Sequence, residues 1–311
     1  MKKVLALFIA VLAQCSCEKT YFPDYSPADT LLGLNARLST GDRCHTVFVD
    51  YCRHDSVMGA QDATVNIFVN GILAGSSSEA QHEYVDETRP DFRRDPPAWY
   101  YVNADIKPGD TVKVQALAGN YMAEATTVAL PAPKLGNVVL TQLETTRNGF
   151  PYSELKFNIQ VMDPHAERNY YAISVSSIKE YRSETTGKYT EANLIEMDYS
   201  HDVLLFKHDV HVPESRAYVF SDSSFDGECI SLDLRAGKDC FLDDNAVKGT
   251  AVVRLSAISM EDYDTYAMYE RYLPDLPGLN TTVQVYPSNV VGGIGQVYVR
   301  SDTECSFLIF P

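Results

Sequence analysis

The sequence predicts an all-β protein built from two β-sandwich domains, the first immunoglobulin-like and the second carrying one short α-helix. Three observations carry this reading. Apolar residues recur with period two, the spacing of half-buried strands. Gly, Pro and Asn turn signals separate these short runs. Near the middle of the 311 residues, Pro131-Ala132-Pro133-Lys134-Leu135-Gly136 breaks the pattern, and a chain of this length suits two domains.

The first seventeen residues are an address. Met1-Lys2-Lys3 precedes an unbroken apolar run from Val4 to Ala13, then Gln14-Cys15-Ser16-Cys17-Glu18. A membrane-spanning helix needs about 20 apolar residues, so this shorter run reads as an export signal. A cysteine after the apolar core resembles the lipobox of bacterial lipoproteins, in which that cysteine is acylated and becomes the mature N-terminus. Cys17, with Ser16 before it and Glu18 after it, is the expected lipidation site; Cys15 is the alternative. Residues 18–29, with Pro23 and Pro27, suit a tether. Lipid would hold such a chain on a membrane without a spanning helix.

Residues 30–130 form the expected first sandwich. Val47, Val49 and Tyr51 alternate with Thr46, Phe48 and Asp50. Val65, Ile67 and Val69 lead into Asn70-Gly71 and a second run from Ile72, the signature of a hairpin with a type I′ turn. Trp99 to Ala104, Thr111 to Leu117 and Met122 to Leu130 complete the set, with Lys107-Pro108-Gly109-Asp110 as a turn. A linker is expected at 131–136. Residues 137–311 then form the second β-rich domain, starting with alternation at Leu155, Phe157, Ile159 and Val161. One helix is expected near 260–273, where Ser259 and Asp262 resemble a capping box and Tyr263, Tyr266 and Tyr269 recur at helical spacing. That stripe is expected to pack on a sheet.

Charge and motif content exclude several functions. A net charge of −16 opposes a sequence-independent grip on nucleic acid. Loss of the leader removes Lys2 and Lys3 and makes the mature chain more acidic still. The chain contains no Gly-x-Ser-x-Gly nucleophile elbow and no metallopeptidase His-Glu-x-x-His motif, so no catalytic residue is assigned and the protein is expected not to be an enzyme. His201, His208 and His211 do not converge on one strand face, and His45 and His54 beside Cys44 and Cys52 are separated by strand geometry. Asp222-Ser-Ser-Phe-Asp226-Gly227 lacks the spacing of a calcium loop. Neither metal nor cofactor is therefore expected. The five cysteines beyond the leader fit no zinc spacing. A Cys229–Cys240 bridge would require an irregular loop, because a hairpin centred on Ala236-Gly237 sets Cys240 opposite Asp233.

The second half carries a resemblance. Ser221-Asp222-Ser-Ser-Phe225-Asp226-Gly227, Val252 to Ser259 followed by Tyr263 to Tyr272, and Ser288-Asn289-Val-Val-Gly-Gly293-Ile-Gly295 occur in an order similar to that of the Bacteroidetes domain-of-unknown-function 4249 family. Asp62 to Gly71 and Lys107 to Thr111 agree in the first half. The resemblance implies an envelope lipoprotein of the outer membrane, encoded near TonB-dependent receptors. The function expected from it is a non-enzymatic accessory or ligand-capture component whose partner is a TonB-dependent outer-membrane receptor. A fimbrial or adhesive subunit is the alternative, and an envelope hydrolase the third reading. The insertion Glu79 to Pro97 departs from the family pattern and combines mixed charge with an aromatic anchor, as protein interfaces do. Phe92, Arg93, Arg94, Trp99 and Tyr101 are accordingly the candidate binding residues.

Overall fold

The computed structural model describes residues 30–53, 57–81, 98–147, 149–165, 168–183, 187–200, 202, 210–212, 217–271 and 288–310. The leader with Cys15 and Cys17, the tether, and most of the insertion with Phe92, Arg93 and Arg94 lie outside the described residues.

In the first half run β1 (Leu31–Ser39), β2 (Cys44–Cys52), β3 (Val57–Gly59), β4 (Thr64–Val69), β5 (Ile72–Ser77), β6 (Ala80–Gln81), β7 (Ala98–Asn103), β8 (Thr111–Ala118) and β9 (Tyr121–Val128). There follow β10 (Lys134–Arg147), β11 (Phe150–Met162), β12 (Tyr170–Ser183), β13 (Gly187–Ile195), β14 (Val210–Val212), β15 (Ala217–Ser221) and β16 (Cys229–Gly237). The helix α1 (Lys238–Phe241), β17 (Ala246–Ile258), α2 (Met260–Arg271), β18 (Val290–Val291), β19 (Gly293–Ile294) and β20 (Val297–Ile309) end the described chain. The protein is all-β, and its sheets pack face to face.

Turn chemistry places the expected strands. Asn70 and Gly71 both take positive φ, 52° and 80°, as a type I′ turn requires, and β4 pairs with β5 across them. Asp110 closes its turn twice: its N–H donates to the Lys107 carbonyl at 3.0 Å, and its carboxylate accepts the Lys107 N–H at 2.8 Å.

One long sheet joins the two halves in the order β14-β15-β12-β17-β20-β1-β2-β7-β6. Its β1-β2-β7 part faces the sheet β18-β9-β8-β4-β5 and shares one buried cluster with it. Its β12-β17-β20 part faces β10-β11-β16 over a second cluster. Strand β20 belongs to both. Val297 to Arg300 pair in parallel with β1, and Ser301 to Ile309 pair antiparallel with β17. Val297 and Val299 are buried in the first core and Ile309 in the second.

The segment expected as a linker is tied to this shared strand. The Ser301 hydroxyl donates to the Leu130 carbonyl, and the Thr303 hydroxyl to the Pro133 carbonyl at 2.6 Å. Pro131 to Pro133 lie between strands, whereas Lys134 to Gly136 already belong to β10. A boundary drawn linearly at 131–136 also assigns Val290, Val297 and Val299 to the second unit, although their side chains complete the first core. The glycine run before β20 permits this return. A Cβ on Gly293 would sit 2.3 Å from the Leu32 carbonyl oxygen, so only glycine lets β19 lie this close to β1.

Two local expectations are corrected. No hairpin forms at Ala236-Gly237: β16 stays paired with β11 as far as Gly237 opposite Glu154, then enters α1, whose Phe241 packs against Phe157 at 5.5 Å. All five described cysteines are free. Ser259 does cap α2, accepting the Asp262 N–H at 3.1 Å, but Asp262 does not complete a reciprocal box. Its fully buried carboxylate instead meets Arg300 at 3.3 Å and Arg37 at 3.6 Å, and both guanidinium groups lie over the Tyr266 ring. Tyr266 is buried with Ala172, Val219 and Ile258, and Tyr263 packs on Tyr170 at 4.9 Å.

Candidate functional site

Strand alternation sorts β2 and β7 into a core face and an outer face. Val47, Val49, Tyr100 and Val102 point into the first core. Tyr100 fixes the register: its hydroxyl donates to the Ala60 carbonyl and accepts the Ala63 N–H at 3.1 Å, so a buried phenol has both partners it needs. Phe48, Trp99 and Tyr101 consequently face outward. Phe48 stands opposite Trp99 with ring centroids 6.4 Å apart, and Thr46 stands opposite Tyr101. Phe48 is 40% exposed and Tyr101 52% exposed, and Trp99 is half-buried between them. Asn35 lies across from Phe48 on the other side, giving the rings a polar border. Of the candidate binding residues, Trp99 and Tyr101 are therefore neighbours on one surface. Phe48 is an addition that the alternation of β2 already marked as opposite in face to Val47 and Val49.

The same face carries an unusual carboxyl. Asp50 sits opposite Gly33 and Gly59, where burial pushes its pKa up to about 6 against the lowering effect of the Ala98 backbone hydrogen bond. One of its oxygens is buried without a hydrogen bond. Burial also raises the thiol of Cys52, with the charge of Asp50 adding to it.

A concave feature lies at one end of the second sandwich. Tyr152, Glu154, Glu196, Tyr199, Tyr218 and Arg235 line a cleft of about 920 Å³. The segment around Asp198 forms its rim by pairing with the end of β16: the Asp198 N–H donates to the Arg235 carbonyl at 2.6 Å, and the Arg235 N–H returns the bond at 2.8 Å. Asp198 uses its carboxylate locally, accepting the Ser200 N–H at 2.8 Å. These residues come from distant parts of the sequence, and no motif announces them.

Three carboxylates also converge. Ligand atoms of Asp163, Asp222 and Asp226 lie within 4.8 Å of one another, bringing the Asp222 to Gly227 turn onto the Asp163-Pro164 turn. Protein groups engage all three, with the His165 ring 3.5 Å from Asp226. Asp163 accepts the Tyr171 hydroxyl and the Gly227 N–H at 2.9 Å, and Asp222 accepts the Asn169 N–H at 2.6 Å. The arrangement fastens two turns together. The paired Cys/His residues do not converge: Cys44 and Cys52 occupy opposite ends of β2, and His45 is buried with its ring bonded to the Ala104 carbonyl at 3.1 Å. Burial holds that imidazole below its ordinary pKa. His54 and His208 lie outside the described residues.

Residues 18–305 match the family described as Domain of unknown function (DUF4249). The chain belongs to this family. No curated protein matches the chain. A solved structure titled "Crystal structure of CBD12 from CALX1.2" is similar at 10% identity, with 88% of this chain and 100% of that chain covered and a TM-score of 0.17. That likeness bears on neither ligand nor function. Among the described residues of this DUF4249 chain, no helix is long and apolar enough to cross a membrane.

Proposed function

We propose that this DUF4249 protein is a lipid-anchored accessory component of the outer membrane in a Bacteroidetes-type cell, docking on a TonB-dependent receptor without performing catalysis itself. The observation that supports the reading is the Phe48, Trp99 and Tyr101 surface. Large aromatic side chains ordinarily repay their burial, so a strip of three left on the outside of a well-filled sandwich has the composition of a contact surface. The chain begins with a leader of lipoprotein type, and acylation at Cys17 would bring that surface to the membrane where such receptors sit.

Two measurements test this reading. Mass spectrometry of the mature N-terminus should find acyl groups on Cys17; an unmodified terminus removes the anchor, and acyl groups on Cys15 relocate it. Affinity purification of the full chain from solubilised envelope should recover a TonB-dependent receptor in stoichiometric amount. Recovery of no such receptor overturns the partner.

A further inference from the structure

We propose that the cleft beside Tyr152 and Arg235 binds a short neutral saccharide. This goes beyond the docking reading, because it concerns the opposite sandwich and a different kind of ligand.

Size comes first. Small-molecule sites run from roughly 300 to 1,000 Å³, and the cleft of about 920 Å³ is at the upper end. That is room for more than one sugar ring.

The lining then selects the chemistry. Glu154, Glu196 and Asp198 oppose an anion, whereas the Arg235 guanidinium, its charge shared with Asp233, opposes a cation. Carboxylates and a guanidinium in one lining suit a neutral ligand that is rich in donors and acceptors together. Sugar hydroxyls are both at once: carboxylates accept from them and a guanidinium donates to them. Tyr152 and Tyr199 add half-buried ring surface, which suits the C–H face of a pyranose.

Arg235 is held for this purpose by contacts that do not depend on a ligand. Its Nε donates to Asp233 at 3.4 Å, and its main chain pairs with Asp198. Gly237 completes the shape. A Cβ there would fall 2.1 Å from the Tyr152 hydroxyl oxygen and 2.2 Å from an Asp239 carboxylate oxygen, so the missing side chain is what lets Tyr152 lie across the end of β16. The obstructing atoms are the tips of side chains. An alanine would therefore displace Tyr152 and leave the strand in place.

The test is calorimetric titration of the detergent-solubilised full chain with glucose, galactose, N-acetylglucosamine, maltose and cellobiose, and separately with spermidine and glucuronate. At least one neutral sugar should bind. Arg235→Ala should weaken it at least about tenfold, the lower bound for losing a hydrogen bond to a charged group. Gly237→Ala should weaken it as well, with the melting temperature showing that each variant is folded. Should Arg235→Ala melt early, Glu196→Gln at an exposed position replaces it, with the same loss expected. The proposal fails if no neutral sugar binds at concentrations up to about 10 mM, beyond the millimolar range of weak ligands. It fails equally if only spermidine or glucuronate binds, or if a bound sugar keeps its affinity in the folded variants.

Discussion

The two sandwiches share a sheet but fill their cores by opposite means. The first core is lined by small residues: Ala36, Ala60, Ala98, Ala116, Ala123 and Ala125 are buried among valines and leucines, with Tyr100 as the fully buried ring and Tyr51 packed at its edge. The second is aromatic, with Phe157, Phe220, Phe225, Phe241, Tyr171 and Tyr218 in contact. Small buried side chains fill little volume, and alternation along β2 and β7 places Phe48, Trp99 and Tyr101 on the outer face. Large rings in the second core hold its sheets together mainly through side-chain volume. The two sandwiches also differ in surface chemistry. The first sandwich presents its aromatics outside as a strip, and the second opens at one end into a cleft.

The two cores should therefore break in different ways. Truncation should hurt the second most. Phe157 is fully buried between Phe241 and Phe307, and Phe157→Ala is expected to cost about 3–5 kcal/mol. Because β20 runs through both cores, that loss should reach the first sandwich. Trp99 is the only tryptophan in the chain and sits in that sandwich, so its fluorescence should follow a lowered denaturation midpoint. An unchanged Trp99 transition would separate the two halves.

Next in size is the strut between helix and sheet. Asp262→Ala leaves Arg300, and Arg37 with its more exposed side chain, facing a buried site without its carboxylate, at a cost of about 3 kcal/mol. Urea denaturation measures it. Overfilling should damage the first core instead. Ala116→Leu is expected to cost about 1–3 kcal/mol, although the same substitution would be neutral in a loosely packed core.

The last effect is a pH dependence. Asp50 has a folded pKa near 6 against an ordinary value of 3.8, so between these values the folded state holds a proton that the unfolded state has released. Its contribution to stability is present below about pH 4 and is lost as pH rises through about 6. Asp50→Asn removes that carboxyl, so the variant should gain stability relative to wild type as pH rises across this window. Parallel pH profiles for the two proteins would place Asp50 in an ordinary solvated setting.

Strands with clean alternation were legible in the sequence, and those whose register is interrupted were not. β4, β7, β8 and β11 each bury every second residue, and period two finds them. β10 escapes because its pairing shifts between Leu135 and Val138, which breaks the period. β13 escapes because nearly all of its residues are exposed, so no apolar face marks it. Trp99 and Tyr101 were readable as one face of a strand. Their border with Phe48 depends on which strands pair, and long-range pairing leaves no local trace. The cleft was invisible for the same reason, being assembled from β11, β16 and the segment after β13.

The most direct test of the docking face is the double substitution Trp99→Ala with Tyr101→Ala in the full chain, assayed by receptor recovery from solubilised envelope. Both side chains point away from the core, so the fold should persist, as circular dichroism would confirm. Receptor recovery is expected to fall to background, while Arg235→Ala in the distant cleft leaves it unchanged. Full recovery with a folded double variant would contradict the assignment of this face.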